Sequence, residues 1–369
     1  MTAGAEGTTA AGPGALPHLR IGLIRGDGIG PELVESAVTV LEAAVEGEAR
    51  LTFHEEEGGA GAYVRHGTPL SAEALHRIEH DYAATLKGPV GLPEVRRPDG
   101  TEAGLLGGVL RGGLDAYANV RPVLGLPGVR TVLRPEVGPI DYVIVRENTE
   151  GLYLSRGLGV RNDRAAADQM LMTREGVERI ARFAFELART RSGAPADGVR
   201  RVTCVDKSNV LRSYAFFHDI VTEVSRGYPD VELDHRYADA AGHDLVADPA
   251  HFDVVVTENF LGDLLSDVGA ATVGGLGMCP SGNIGERSAY FEPIHGSAPR
   301  IAGRDLANPV SQILSAALLA DHVGLRTTGG RIRAAVASAF ASQALALTAS
   351  GSPTIGTRAT AGVVCEHLG

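Results

Sequence analysis

Short apolar runs alternate along the chain with stretches whose apolar residues recur every three to four positions. Residues 20–24, 142–145, 201–205 and 252–256 are dense in Val and Ile and read as buried strands, because β-branched side chains suit a packed, pleated surface. Helical periodicity marks residues 33–45, 71–80, 174–191, 214–225, 309–323 and 329–347. Strand followed by helix, repeated in this way, predicts an α/β fold. Residues 88–108 and 272–308 are rich in Gly and Pro and read as loops, the second long enough to suggest function. No internal repeat and no clear linker interrupts the pattern.

Composition narrows this picture only slightly. A chain of 369 residues with 44% hydrophobic and 21% charged residues has enough material for two globular domains. Its formal charge of −11 argues against a nucleic-acid partner, which leaves a basic footprint. Cys204, Cys279 and Cys365 lack CxxC spacing, so neither a disulfide framework nor a zinc motif is suggested, and a reducing cytoplasm is expected. No apolar run is long enough to span a membrane. Residues 1–18, rich in Ala, Gly and Thr at their start, are expected to form a disordered tail.

Candidate chemistry gathers at the strand ends. The run Thr257-Glu258-Asn259-Phe260-Leu261-Gly262-Asp263-Leu264-Leu265-Ser266-Asp267 follows a strand and reads as a helix. Asp263 and Asp267 then lie one turn apart on one face, where two like charges repel. This is either an exposed acidic face or a pair of hard oxygen ligands for Mg²⁺ or Mn²⁺. Arg111, Arg121 and Arg146 offer planar forks for carboxylates, or they are surface ion-pair partners. Lys207 follows a strand and could serve as a base near other cations, although a solvated lysine is the commoner case. The turn Gly26-Asp27-Gly28-Ile29-Gly30-Pro31-Glu32 joins a strand to a helix, but its glycine spacing does not meet the Rossmann fingerprint. His295 by itself carries no ligand reading.

Six motifs in one order change the weight of these observations. They are the Gly26–Glu32 turn, Tyr117-Ala118-Asn119-Val120-Arg121-Pro122, Arg146-Glu147-Asn148-Thr149-Glu150-Gly151, Asp206-Lys207-Ser208-Asn209-Val210, Thr257–Asp263 and His295-Gly296-Ser297-Ala298-Pro299. From about Ile21 to the C-terminus this series resembles the isocitrate/isopropylmalate dehydrogenase family of metal-dependent, β-decarboxylating dehydrogenases. The resemblance implies a two-domain α/β fold that is not Rossmann, with a cleft between the domains. A discontinuous cofactor domain of residues 19–115 and 274–369 would accompany a second domain of residues 116–273 carrying a dimer interface. It implies a homodimer with shared active sites, Lys207 and Asp239 reaching into the partner's site.

Carried over by position, Asp239, Asp263 and Asp267 resemble the metal ligands, and Tyr153 and Lys207 the catalytic acid/base pair. Arg111, Arg121, Arg146, Leu105, Leu106 and Asn209 resemble substrate contacts. Ile29, Glu102, His295, Gly296, Ala298, Arg300, Ile301 and Asn308 resemble cofactor contacts. The implied reaction is NAD- or NADP-linked oxidation and decarboxylation of a 2-hydroxy di- or tricarboxylate with Mg²⁺ or Mn²⁺, 3-isopropylmalate being the single best substrate. Isocitrate, homoisocitrate, tartrate, malate and a specialised 3-substituted malate are the alternatives, and a non-catalytic regulatory subunit is a further one.

Two departures stand out. Arg300 occupies a position where NAD-using relatives usually carry Asp and NADP-using relatives Lys-Tyr. Without the acid, an arginine can pair with a 2′-phosphate, so relaxed selectivity or a lean toward NADP is expected. In Glu102-Ala103-Gly104-Leu105-Leu106-Gly107-Gly108, the segment resembling an apolar substrate pocket is followed by two extra glycines before Arg111. The serine and asparagine that isocitrate enzymes use in this region are absent, which ranks isocitrate lower.

Overall fold

The computed structural model describes residues 16–98 and 100–369. The expected tail thus lies outside the described residues except for its last three. In chain order the elements begin with β1 (His18–Ile24), α1 (Gly30–Ala44), β2 (Arg50–Glu55), α2 (Ala60–His66), α3 (Ala72–His80), β3 (Ala84–Lys87) and α4 (Gly107–Gly113). They continue with β4 (Ala118–Leu124), β5 (Asp141–Glu147), the two-residue strands β6 (Val160–Arg161) and β7 (Ala166–Ala167), α5 (Arg174–Thr190) and β8 (Arg201–Asp206). Next come α6 (Arg212–Ser225), β9 (Glu232–Tyr237), α7 (Ala238–Ala247), β10 (Val254–Thr257) and α8 (Asn259–Thr272). The last elements are β11 (Pro280–Ile284), β12 (Ala289–Pro293), α9 (Val310–His322), α10 (Arg326–Ala341) and α11 (Thr357–Glu366).

The chain divides into two units, one of residues 1–116, 126–130 and 274–369, the other of residues 117–125 and 131–273. In the first, strands lie in the order β2-β1-β3-β12-β11. All neighbours are parallel except the β11–β12 hairpin. Helix α9 is apolar nearly all round, and its Val310, Ile313, Ala316, Ala317 and Ala320 are buried. Its Ser315 hydroxyl donates to the Glu292 carbonyl at 2.9 Å, tying the helix to β12. Helix α1 buries Leu33, Val34, Ala37, Val40, Leu41 and Ala44 on one stripe, with Pro31 in its first turn.

In the second unit the order is β4-β5-β10-β8-β9, with only β4–β5 antiparallel. Every residue of β8 and β10 is buried, as expected of central parallel strands covered on both faces. Thr173 caps α5 by accepting from the Gly176 N–H at 3.1 Å.

The long loop expected over 272–308 is corrected here, because β11 and β12 lie inside it. Pro280-Ser281-Gly282-Asn283 has turn composition, yet all four residues are buried, and pairing with β12 overrides that propensity. The irregular stretch is residues 294–309 instead, apart from one 3₁₀ turn at Pro299–Ile301. Helix α10 also ends well before the expected residue 347, and Gly107-Gly108 open helix α4 rather than sitting in a loop.

Candidate active site

The second unit gathers a carboxylate and three polar partners around α8. Strand β10 ends at Thr257, and Glu258 caps the helix that follows. Its carboxylate accepts from the Phe260 N–H (2.9 Å), the Leu261 N–H (2.8 Å) and the Tyr214 hydroxyl (2.8 Å). An ionised side chain at a helix N-terminus is favoured by orphan N–H groups and by the helix dipole. The cap fixes where the first two turns of α8 begin, and with them Asn259, Asp263 and Asp267.

Arg146 lies on β5 with 1% relative exposure. Its Nε and Nη2 donate to Asn259 Oδ1 at 3.0 and 2.7 Å, and its Nη1 donates to Asp263 Oδ1. The guanidinium stem crosses α8 at Gly262, where a Cβ would fall 2.6 Å from Arg146 Cγ. Gly262 is therefore required by the close approach of the arginine. Asn259 is held in turn by its own Nδ2, which donates to the Glu150 carbonyl at 2.9 Å.

Arg121 comes from β4, where Asn119 faces Arg146 in the antiparallel register and Arg121 follows on the same face. Arg121 Nε donates to Asn119 Oδ1 at 2.6 Å, and its Nη1 donates to Ser266 Oγ at 2.6 Å and reaches Asp263 Oδ1 at 3.5 Å. Tyr153 lies on a short 3₁₀ turn, and its hydroxyl donates to Asp263 Oδ2 at 2.9 Å. Its ring packs edge-on against Phe260, with Arg146 over its face at 5.7 Å. Two buried arginines and one phenol thus converge on one carboxylate.

Asp267 lies one turn further along α8. Burial pushes its carboxyl above the ordinary range, Arg121 pulls it back, and neighbouring Asp263 pushes it up again. Two carboxylates on one face, one of them resisting ionisation, make a donor set that suits a hard divalent cation. Asp239 stands in the first turn of α7 and is ion-paired with Lys207, which lowers its pKa. Lys207 also lies over the Tyr237 ring at 5.8 Å. Among the described residues Asp239, Asp263 and Asp267 do not bring their ligand atoms within 4.8 Å of one another. Asn209 is exposed two residues beyond Lys207.

The first unit builds a separate constellation from three loops. Asp27 is buried, and its Oδ2 accepts from the Ala60 N–H (2.7 Å) and the Gly91 N–H (2.8 Å) while Oδ1 accepts from the Gly61 N–H (2.9 Å). Gly28 has φ +58°, and a Cβ there would fall 2.0 Å from the Ser297 carbonyl oxygen. The Ile29 N–H donates to that same oxygen at 2.8 Å. The glycine-rich turn is therefore locked against residues 91 and 297. Sequence reading did not single out Asp27, because the backbone groups it holds are 33 to 64 residues away.

The remaining expected residues fall around these loops. Ile29 is buried with Leu33 and Ala307, and Ile301 packs on them, so both isoleucines serve the core. Asn308 is buried, and its side-chain oxygen accepts from the Val310 N–H at 3.1 Å just before α9. Ala298 has φ +37°, a left-handed conformation before the 3₁₀ turn. His295 is half-buried beside exposed Gly296, and burial lowers its pKa against the opposing pull of the Gly296 carbonyl. Arg300 is exposed and forms no ion pair among the described residues. The carboxylate of Glu102 lies where a Cβ on Gly91 would meet it at 2.5 Å. Leu106 is fully buried in a cluster with Ile24, Leu70 and Leu110, so its side chain fills the core, whereas Leu105 is partly exposed. Arg111 is half-buried in the last turn of α4.

Against this geometry, a sequence model of the isocitrate/isopropylmalate dehydrogenases matches residues 20–357. The chain belongs to the isocitrate/isopropylmalate dehydrogenase family and is a dehydrogenase. It is 40% identical to a 3-isopropylmalate dehydrogenase of Clavibacter sepedonicus over 88% of this chain and 92% of the relative. It is 42% identical to a 3-isopropylmalate dehydrogenase of Frankia casuarinae, over 89% of this chain and 94% of that one. Among solved structures, an isocitrate dehydrogenase from Methylococcus capsulatus superposes with a TM-score of 0.83 at 37% identity, covering 95% of this chain and 99% of that one.

Proposed function

We propose that the protein catalyses the metal-dependent oxidative decarboxylation of 3-isopropylmalate with NAD or NADP, as a homodimer whose sites are shared between subunits. The observation that carries this reading is the convergence of Arg121, Arg146 and Tyr153 on Asp263, in a chain whose relatives are named for that substrate.

Asp263 and Asp267 would hold Mg²⁺ or Mn²⁺ together with Asp239. When bound, the cation would supply Lewis-acid polarisation of the substrate's 2-hydroxyl and adjacent carboxylate, and the nicotinamide would supply a hydride acceptor. Arg121 and Arg146, buried and pre-oriented, align the substrate carboxylates, a positioning effect. Lys207 takes the proton of the 2-hydroxyl. Once the carboxyl on C3 leaves as carbon dioxide, the Tyr153 hydroxyl donates a proton to C3. Asp263 already accepts from that hydroxyl and would hold the proton on Tyr153 until it is needed.

Sharing of sites is supported by the Lys207–Asp239 pair, whose carboxylate does not close a three-carboxylate group with Asp263 and Asp267 among the described residues. The exposed Leu158, Val160, Leu171 and Val210 of the second unit supply apolar surface for an interface. Leu105 is the apolar residue available to the isopropyl group. Arg300, exposed and without an ion-pair partner among the described residues, favours tolerance of a 2′-phosphate. The free cysteines fit a reducing cytoplasm, and no helix among the described residues is long and apolar enough to cross a membrane.

The test is nicotinamide reduction by the purified protein with Mg²⁺ or Mn²⁺, comparing 3-isopropylmalate, isocitrate, homoisocitrate, malate and tartrate. Highest kcat/KM on 3-isopropylmalate is expected, and dominance of any other substrate would overturn the substrate assignment. In the same assay, Arg300→Asp should shift the NADP/NAD preference toward NAD by roughly tenfold or more, the worth of one charge-assisted hydrogen bond.

A further inference from the structure

A second cluster of metal-ligating side chains lies in the second unit, away from the carboxylates of α8. Cys204 and Asp206 are two residues apart on β8 and so point to the same face of the sheet. His235 is the register partner of Cys204 on β9, which places it beside the thiol. One ligand atom from each of Cys204, Asp206 and His235 lies within 4.8 Å of the others, the only such group among the described residues. Helix α6 covers this face with His218, whose Nδ1 lies 3.0 Å from Asp206 Oδ2 and whose ring stacks on His235 at 3.9 Å.

The hydrogen bonding of this cluster is incomplete. His235 Nε2 meets Thr222 Oγ1 at 3.3 Å, but its Nδ1 is buried and has no partner. A buried ring nitrogen without a partner costs free energy unless a ligand takes it. Cys204 Sγ makes only a long 3.7 Å contact with Asp206 Oδ2. Burial, and after it the neighbouring His218, lower the pKa of His235.

We propose that Cys204, Asp206, His218 and His235 form a binding site for a thiophilic divalent cation, Zn²⁺ in the first instance. The donor set of one sulfur, one carboxylate and two imidazoles is one that zinc accepts in four-coordinate geometry, whereas Mg²⁺ and Mn²⁺ prefer oxygen alone. Thiolate and carboxylate together offset the cation's double charge, which a site this enclosed requires. Tetrahedral coordination needs ligand separations of about 3.5 Å, and Cys204 Sγ and Asp206 Oδ2 already lie 3.7 Å apart. Cys204 and Asp206 are fully buried while His218 is partly exposed, so the ion enters past the imidazoles. The thiol gives up its proton to solvent as the sulfur–metal bond forms. Asp206 directly precedes Lys207, so occupancy ties the end of β8 to β9 and α6 beside that lysine.

The experiment is anaerobic titration of the reduced full chain with Co²⁺ followed by displacement with Zn²⁺, reading thiolate-to-cobalt charge-transfer absorption and calorimetric stoichiometry. One thiolate-bound ion per chain is expected, and it should persist in the Asp263→Asn/Asp267→Asn double variant, which separates it from the proposed Mg²⁺ site. Cys204→Ser should abolish the charge-transfer band. His218→Ala, a change at a partly exposed helix position, should weaken Zn²⁺ binding at least tenfold with an unchanged circular dichroism spectrum. Absence of the band in the unaltered protein would overturn the proposal, as would a band that survives Cys204→Ser.

Discussion

Gly262 shows how one residue's chemistry depends on another's path. In an isolated helix, Gly→Ala is stabilising by about 1 kcal/mol. Here the added methyl would meet the stem of Arg146 at 2.6–2.7 Å, and Arg146 is buried with its fork committed to Asn259 and Asp263. Gly262→Ala should therefore destabilise the protein by about 1–3 kcal/mol, measured by denaturant unfolding, and raise KM for the substrate. A gain in stability would mean that Arg146 does not lie where described. The pairing of Asp263 with Asp267 was legible in the sequence, because a four-residue spacing has meaning once a helix is inferred. The part played by Gly262 was not, since it requires knowing which side chain crosses the helix. Asp27 was opaque for a similar reason, its partners being backbone groups of distant loops.

Elements are positioned by their ends. Glu258 stands at the N-terminus of α8 with two backbone donors and one phenolic donor, so Glu258→Ala should cost about 0.5–2 kcal/mol through the cap alone and displace Asp263. The expected readout is lower thermal stability together with a larger loss of activity than the stability change explains. Just beyond β2, Glu56 is buried and receives a bidentate fork from Arg77 at 2.7 and 2.6 Å and the Tyr82 hydroxyl at 2.5 Å. Burial alone would raise its pKa, but these donors outweigh burial and hold the carboxyl below its ordinary value.

A carboxyl with a depressed folded-state pKa stabilises the protein above its unfolded pKa, about 4.3, and loses that contribution as pH falls through the folded value. Glu56→Gln should accordingly be less stable than the parent at pH 7, with the difference shrinking on acidification below about pH 4. A difference that does not change with pH would contradict this account of Glu56. Valine-rich β5 and β10 could be read from sequence because a packed strand and its composition agree. For β11, Pro-Ser-Gly-Asn composition pointed to a turn, and only the neighbouring strand reveals that the segment is paired.

At the scale of the whole molecule, the account requires two copies. Lys207→Ala and Asp263→Asn should each be nearly inactive alone. After joint unfolding and refolding in equal amounts they should recover about a quarter of the parent activity, since half of the reassorted dimers are mixed and each mixed dimer holds one intact site. No recovery would place Lys207 and Asp263 in the same subunit's site. The family, and the order of its motifs along the chain, were legible because six short segments each keep a chemical role. The assignment of the 3-substituent was not, because Leu105 and Leu106 look alike in sequence while one is partly exposed and the other fills the core.

The central claim is that oxidation at C2 and loss of the carboxyl on C3 are one enzyme's work, organised around Asp263. Its most direct test is the yield of ¹³C-labelled carbon dioxide from 3-isopropylmalate labelled at that carboxyl, measured against nicotinamide reduced. The account predicts one carbon dioxide released for each nicotinamide reduced, with both lost in Asp263→Asn. Nicotinamide reduction without release of the label would contradict it.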